Sequence, residues 1–166
     1  PVFNEINYLS DFTDQLKNSF IDEDVEYIFI NDGSTDGSRE WLEKYLKTQT
    51  KENNRLINIE KNTGKGNAIH EGIKICKGDY VLFQDSDLEL DTNDSFEMYK
   101  IIKSDNKVEC LFGSRYLSGK LKRNINFINA FIGKINSLIF NMLFYQSLSD
   151  VHCGTKIVTR NVLKKI

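Results

Sequence analysis

Three short apolar runs decide most of what this chain can fold into: VEYIFI at 25–30, RLINI at 55–59 and DYVLFQ at 79–84. Each ends in a polar cluster and gives way to helical spacing, so the hydrophobic period switches repeatedly between strand and helix. NDGSTDGS follows the first run; Asp32-Gly33 and Asp36-Gly37 supply turn chemistry, and Ser34, Thr35 or Asp36 can cap a helix over about 38–49. That helix places Trp41, Leu42, Tyr45 and Leu46 on one face. NTGKGN follows the second run and leads into a helix over 68–76 with Ile69, Ile73 and Cys76 on its buried side. QDSDLE follows the third, before a helix near 94–103 and a strand at 109–113. Strands and helices alternating through short connections predict an α/β fold with a mostly parallel sheet flanked by helices. Ligands in such sheets lie beyond the C-terminal ends of the strands, so the three polar clusters are expected to gather on one rim.

The 166 residues are 40% hydrophobic and 28% charged, enough for one domain with a real core, and no repeat or low-complexity linker divides them. A formal net charge of -2 with both signs interspersed supplies no basic field, which argues against a nucleic-acid partner. Cys76, Cys110 and Cys153 are an odd number without metal-ligand spacing and read as reduced core thiols in a cytosolic setting. PVFNE at the start reads as the exit of a strand, and Leu163-Lys164-Lys165-Ile166 as an unfinished helix, so the chain is expected to be a domain fragment truncated at both ends. No signal peptide is visible, and no uninterrupted run of about 18 apolar residues could span a bilayer.

Residues 127–145, FINAFIGKINSLIFNMLFY, carry apolar side chains at 127, 128, 131, 132, 135, 138, 139, 142 and 143, a wide stripe at helical spacing. Lys120, Lys122 and Arg123 precede it as a local basic cluster. Together they suit docking on a membrane surface with anionic head groups. The alternative is a core-facing helix beside a solvated charge run.

At the rim, Asp85 and Asp87 flank Ser86 at a strand end, a spacing that can hold Mg2+ or Mn2+ through oxygen ligands and leave positions for substrate phosphates. NTGKGN lacks the GxxxxGK[ST] pattern of a phosphate-binding P-loop. Gly64 and Gly66 either admit a ligand close to the backbone, with Lys65 near its phosphates, or make a tight turn before a helix. Asp32 either accepts hydrogen bonds from a base or ribose, or orders its own turn. Asp91 and Asp94, further along the acidic stretch, read as a solvated turn and a helix cap.

Taken in order, PVFNE at 1–5, INDGSTDGS at 30–38, the segment from Asn62 to Asp91, FGSRY at 112–116 and SDVHCGTKIVTR at 149–160 resemble the family 2 glycosyltransferases of GT-A (Rossmann-like) fold, over nearly the whole chain. DSDLELD, GSRY and the late D-x-x-C-G-x-K segment look most like the polyprenyl-phosphate (dolichyl-phosphate) hexosyltransferases. The resemblance implies a single catalytic domain over 1–166 that moves a hexose from a UDP- or GDP-sugar to a lipid phosphate at the cytosolic membrane face, with Mg2+ or Mn2+ as cofactor. Pro1 and Glu5 match a nucleotide-contacting loop, and Asp32 matches the aspartate that binds the base. Asp85 and Asp87 match the metal and sugar-diphosphate ligands, and Glu89 stands where a further metal contact can occur. Arg115 matches an arginine near the donor and acceptor phosphates, and Arg123 is placed by position in the acceptor-phosphate pocket. Asn31 stands where many members have Asp.

The chemistry agrees with a chain that has two histidines. A lipid monophosphate, with a second pKa near 6, is already anionic at neutral pH and needs no strong general base. Single displacement with inversion follows. His70 reads as structural, and His152 has no required role. Two other functions fit the same residues: transfer to a soluble or polysaccharide acceptor, and a non-catalytic sugar-nucleotide binding module. The sequence leaves nucleotide and hexose open.

Overall fold

The computed structural model describes residues 1–49, 53–88, 90–117 and 127–164, with the side chains of all but Phe127 and Asn129. The first apolar run extends at its C-terminal end into β1 (Ile28–Asp32), with Phe29 to Asp32 buried, so a strand built of apolar residues carries Asn31 and Asp32 into the interior. β2 (Arg55–Ile59) pairs parallel to it, from Ile28 opposite Arg55 to Asp32 opposite Ile59. On its other edge Val2 forms a parallel bridge to Asn31, with Val2 N donating to Ile30 O at 2.8 Å and Asp32 N to Val2 O at 2.9 Å. The start of the chain is therefore stitched to the strand that ends at the rim.

Helices flank these strands. α1 (Leu9–Ser19) is a helix not among those expected from the sequence; α2 (Ser38–Lys47), α3 (Lys65–Ile75) and α4 (Thr92–Ser104) follow their expected order, and α3 starts earlier than the apolar spacing indicated. The core joins Val2, Leu9, Phe12, Leu16 and Phe20 to Phe29 and Leu42, with Trp41, Tyr45 and Leu46 of the α2 face packed against it. Full burial of a side chain such as Leu42 contributes about 2–3 kcal/mol. On α3 the buried residues are Ala68 and Gly72, not the larger Ile69, Ile73 and Cys76, which are half-buried. The reason is distance: a Cβ at Gly72 would lie 2.9 Å from Ile30 Cδ1, so only small residues admit the helix this close to β1. Ile69, Ile73 and Cys76 instead line an apolar cavity of about 250 Å³ between β1 and the third strand.

That strand, β3 (Tyr80–Phe83), lies in a second sheet of order β3-β5-β4, with β4 at Cys110–Phe112 and β5 at Lys156–Thr159. β5 runs antiparallel to both neighbours, so β3 and β4 share one direction. The α/β class with helices on a parallel pair stands; the antiparallel insertion is a feature that alternation does not reveal, because KIVT follows a loop and not a helix. α5 (Phe127–Phe144) and the short α6 (Arg160–Leu163) complete the elements.

α5 is turned inside out relative to a core helix. Gly133 and Ser137 are buried, and Asn141 exchanges hydrogen bonds with Leu148, Nδ2 donating to O at 2.8 Å and Oδ1 accepting from N at 2.9 Å. Opposite this polar face, Ile128, Phe131, Ile132, Ile135, Leu138, Ile139, Met142 and Leu143 are all exposed, Met142 by 70%. Among the described residues the stripe packs on no core. None of the described helices is long and apolar enough to cross a membrane.

Candidate functional site

The loops after β1 and β2 meet first. Gly33, at φ +71°, lies against the 61–62 backbone so closely that a Cβ would come within 2.5 Å of Asn62 N. Asp32, 3% exposed, spans the junction: Oδ1 accepts from Thr63 N at 2.9 Å and Thr63 Oγ1 at 3.0 Å, and Oδ2 accepts from Gly64 N at 2.9 Å. Asp32 thus orders the neighbouring NTGKGN turn. Asn31 is buried beside it; its Nδ2 donates to Asn58 Oδ1 at 3.1 Å and its Oδ1 accepts from Ser34 N at 3.1 Å. An amide supplies both donor and acceptor there, which an ionised aspartate cannot.

PVFNE closes onto the same loop. Asn4 N donates to Ser34 Oγ, Glu5 N to Ser38 Oγ and Ile6 N to Asp36 Oδ2, each at 3.0 Å, and Thr35 N donates back to Asn4 Oδ1 at 2.8 Å. Burial tends to raise the Asp36 carboxyl, but hydrogen bonds from Ser38 and from the Ile6 and Ser38 main chain prevail and hold it below the usual range.

QDSDLE reaches this assembly through the buried Ser86, whose Oγ donates to Pro1 O at 3.2 Å. Asp85 is ion-paired with Lys65, Nζ lying 2.5 Å from Oδ1 and 2.7 Å from Oδ2. Asp87 is half-buried after Ser86. Gly154 closes the far side of Asp85: a Cβ there would lie 1.8 Å from Oδ2 and 3.1 Å from Lys65 Nζ.

The segment ending at Gly154 also holds Arg115. Arg115 Nε donates to Asp150 Oδ2 at 2.8 Å, its second guanidinium nitrogen to Oδ1 at 3.0 Å, and its main-chain N to Oδ2 at 3.2 Å. The Asp150 side chain is fully buried and that of Arg115 is 27% exposed, a bidentate pair at the edge of the site. Asp150's hydrogen bond raises the arginine further above its ordinary value, and burial only partly opposes this. For Asp150, burial pushes upward, but Arg115 and the main-chain donors outweigh it and the carboxyl titrates below its ordinary value. Gly113 is pressed to the same segment, where a Cβ would lie 2.9 Å from Cys153 Sγ.

Pro1, Glu5, Asp32, Lys65, Asp85, Asp87 and Arg115 thus stand on linked loops, whereas Glu89 and Arg123, with the basic cluster at 120–123, lie outside the described residues. Asp150 and Gly154 were missed as individual residues, although the late motif that contains them was visible; the signal lay in its D-x-x-C-G pattern, while their partners stand 35 and 69 positions away. His70 is exposed, and His152 Nε2 pairs with Asn136 Nδ2 of α5 at 3.1 Å, outside the carboxylate cluster. Asp91 caps α4, its carboxylate accepting from Asn93 N at 2.9 Å, so the cap expected of Asp94 belongs to Asp91.

Among the described residues, no three His, Cys, Asp or Glu side chains converge as a metal cage. Asp85, ion-paired with Lys65, and Asp87 are the carboxylates that could hold a hard divalent cation, whose shell substrate phosphates and water would complete.

A sequence model described as Glycosyl transferase family 2 matches residues 1–166. A dolichyl-phosphate beta-glucosyltransferase of Dictyostelium discoideum is 29% identical over 145 residues, which are 85% of this chain and 44% of that protein. One of the same description from Trichomonas vaginalis is 32% identical over 143 residues, 84% of this chain and 42% of its own length. The chain therefore spans less than half of these curated relatives. Among solved structures, a mannosyltransferase from Pyrobaculum calidifontis in complex with GDP-Man and Mn2+ superposes with a TM-score of 0.68 at 18% identity, covering 99% of this chain and 44% of that one.

Proposed function

The chain belongs to glycosyl transferase family 2, and from that premise we propose that it transfers a hexose from a UDP- or GDP-sugar to a polyprenyl phosphate, with inversion, at the cytosolic surface of a membrane. The observation that carries this reading is the convergence of Asp85, Lys65 and Gly154, because it puts the acidic strand end, the glycine-rich turn and the late motif around one carboxylate.

Asp85 and Asp87 would hold Mg2+ or Mn2+, which when bound neutralises charge on the departing nucleoside diphosphate. The loops joined by Asp32, Asn31 and Asn4 shape the nucleotide side of the rim, so Asp32 presents its turn's backbone to the donor. Lys65 lies at the start of α3, where it can meet the donor phosphates alongside the positive end of the helix. Arg115 is oriented by Asp150 and is assigned to the phosphates of donor and acceptor. Fixing its fork beforehand lets it stabilise developing phosphate charge without reorganisation. The acceptor phosphate is its own nucleophile at neutral pH, which leaves no task for His152 as a base.

A lipid acceptor has to be met at the bilayer, and the exposed stripe of α5 supplies an apolar face for that surface, with Arg123 assigned to the acceptor phosphate. The test is transfer of radiolabelled hexose from UDP- and GDP-sugars to a short polyprenyl phosphate with Mn2+, wild type against Asp87→Asn. Lipid-linked product in the wild type, reduced at least about a hundredfold in the variant, is expected. Undiminished metal-dependent transfer by the variant, or transfer only to soluble glycans, would contradict the proposal.

A further inference from the structure

Lys65 occupies an unfavourable place for a cation. It is the first residue of α3, whose first turn contains no acidic residue, and a positive charge there opposes the helix dipole. Its compensation comes from Asp85, twenty residues away, at 2.5 Å and 2.7 Å from the two carboxylate oxygens. That carboxylate is also one of the two assigned to a divalent cation. An ammonium in contact with both oxygens and a metal ion on the same group repel each other, so each weakens the other's hold on it.

The main chain at 154 packs against the pair, since a Cβ there would lie 1.8 Å from Asp85 Oδ2 and 3.1 Å from Lys65 Nζ, and the exposure of the two side chains decides which of them moves. Lys65 is free to move: its side chain is 49% exposed and that of Asp85 only 23%. A four-carbon stem on the first turn of a helix can swing its ammonium away at small cost.

We infer that Lys65 is a resident counter-ion of Asp85, which a divalent cation displaces and which then moves to the donor's diphosphate. The inference rests on the proposed function, because it takes the metal and the sugar nucleotide from that reading. It adds an order of events: nucleotide diphosphate and metal favour each other's binding through the lysine as well as through direct ligation. Without the diphosphate, the displaced ammonium has no new partner and metal binding is weakened.

The test compares wild type, Lys65→Met and Lys65→Arg in two titrations. Mn2+ alone is followed by the electron paramagnetic resonance signal of the free ion, and UDP and GDP are titrated calorimetrically at saturating Mn2+. Thermal unfolding midpoints confirm that the variants fold. Lys65→Met should bind Mn2+ alone about fivefold tighter, the size expected for loss of a partly exposed competing pair. It should bind the nucleotides with Mn2+ about tenfold weaker or worse, for loss of a charge-assisted phosphate contact. Lys65→Arg should keep the wild-type affinity for Mn2+ alone. Unchanged or weaker binding of Mn2+ alone by Lys65→Met overturns the inference, while Mn2+-dependent nucleotide binding by the wild type in the same experiment leaves the functional reading standing. Absence of Mn2+-dependent nucleotide binding in the wild type overturns both.

Discussion

The loops of the N-terminal half hold one another through many modest hydrogen bonds, whereas the C-terminal half adds to its hydrogen bonds a bidentate ion pair on a fully buried carboxylate and turns an apolar helix face outward. Around Asp32, Asn31, Asn4 and Asp36 the donors are mostly main-chain N–H groups of neighbouring loops. Around Asp150 the Arg115 guanidinium, with the main-chain N of Arg115 and His152, serves a fully buried carboxylate. On α5 the polar residues Ser137 and Asn141 face the protein and Ile135, Leu138 and Met142 do not. The difference teaches that acidic residues on one rim need not share a role: Asp32 and Asp150 are tied to neighbouring donors of the fold, while Asp85 and Asp87 are the pair to which the proposal gives the ligand.

The comparison breaks most visibly at its concentrated point. Asp150→Ala leaves the Arg115 charge with its partner gone, and should lower stability by about 3 kcal/mol, the low end for a buried pair because the arginine is partly exposed. Asp32→Ala strands donors of Thr63 and Gly64 and should cost about 2 kcal/mol. Urea unfolding midpoints measure both; a loss below about 0.5 kcal/mol for Asp150→Ala would remove the ion pair from its assigned role.

Gly154→Ala should act on ligand more than on fold, because the new methyl meets Asp85 Oδ2. Calorimetry should show nucleotide affinity with Mn2+ falling about tenfold, for misplacement of one charged ligand group.

Acid separates the halves more gently. The Asp36 and Asp150 carboxyls both titrate below their ordinary values in the fold, so the unfolded chain takes up their protons first as pH falls. Their stabilisation is complete above about pH 5 and is lost as pH drops through the ordinary carboxylate range toward the depressed values. Urea midpoints should be flat from about pH 5 to 8 as far as these two groups act and fall below about pH 4, and the fall should be shallower in Asp150→Asn.

The smallest effect on stability is expected on α5. Leu138→Ser with Met142→Ser should shift stability by no more than about 0.5 kcal/mol, since both side chains are exposed. Co-sedimentation with anionic vesicles should nonetheless fall; equal sedimentation by the double variant would detach the stripe from membrane docking.

The sequence announced those parts whose signal is local. Period switching placed β1 to β4 and α2 to α5 to within a few residues, and DSD, NTGKGN and GSRY marked the rim. It did not announce β5, which follows a loop and pairs antiparallel between two strands already counted. Nor could it show that the α3 face toward β1 is Ala68 and Gly72, since hydrophobic spacing favours the larger Ile69 and Ile73 and interelement distance is not written in the period. Asp150 and Gly154 escaped for a related reason: an aspartate and a glycine acquire meaning from Arg115 and Asp85, which only the tertiary fold brings near. The apolar stripe of α5 was legible, and its outward direction was not, because helical spacing is the same for a face on a core and a face away from one.

The central claim is that Asp85 and Asp87 form a metal-dependent donor site, and thermal unfolding with UDP- and GDP-sugars tests it most directly. Ligand binding to the native state at about a hundredfold excess over Kd contributes about 2.7 kcal/mol. The account predicts that one of the two nucleotide sugars raises the midpoint with Mn2+, that chelation abolishes the rise, and that Asp87→Asn does the same. A rise that survives both chelation and the substitution, or none with either nucleotide sugar, would contradict it.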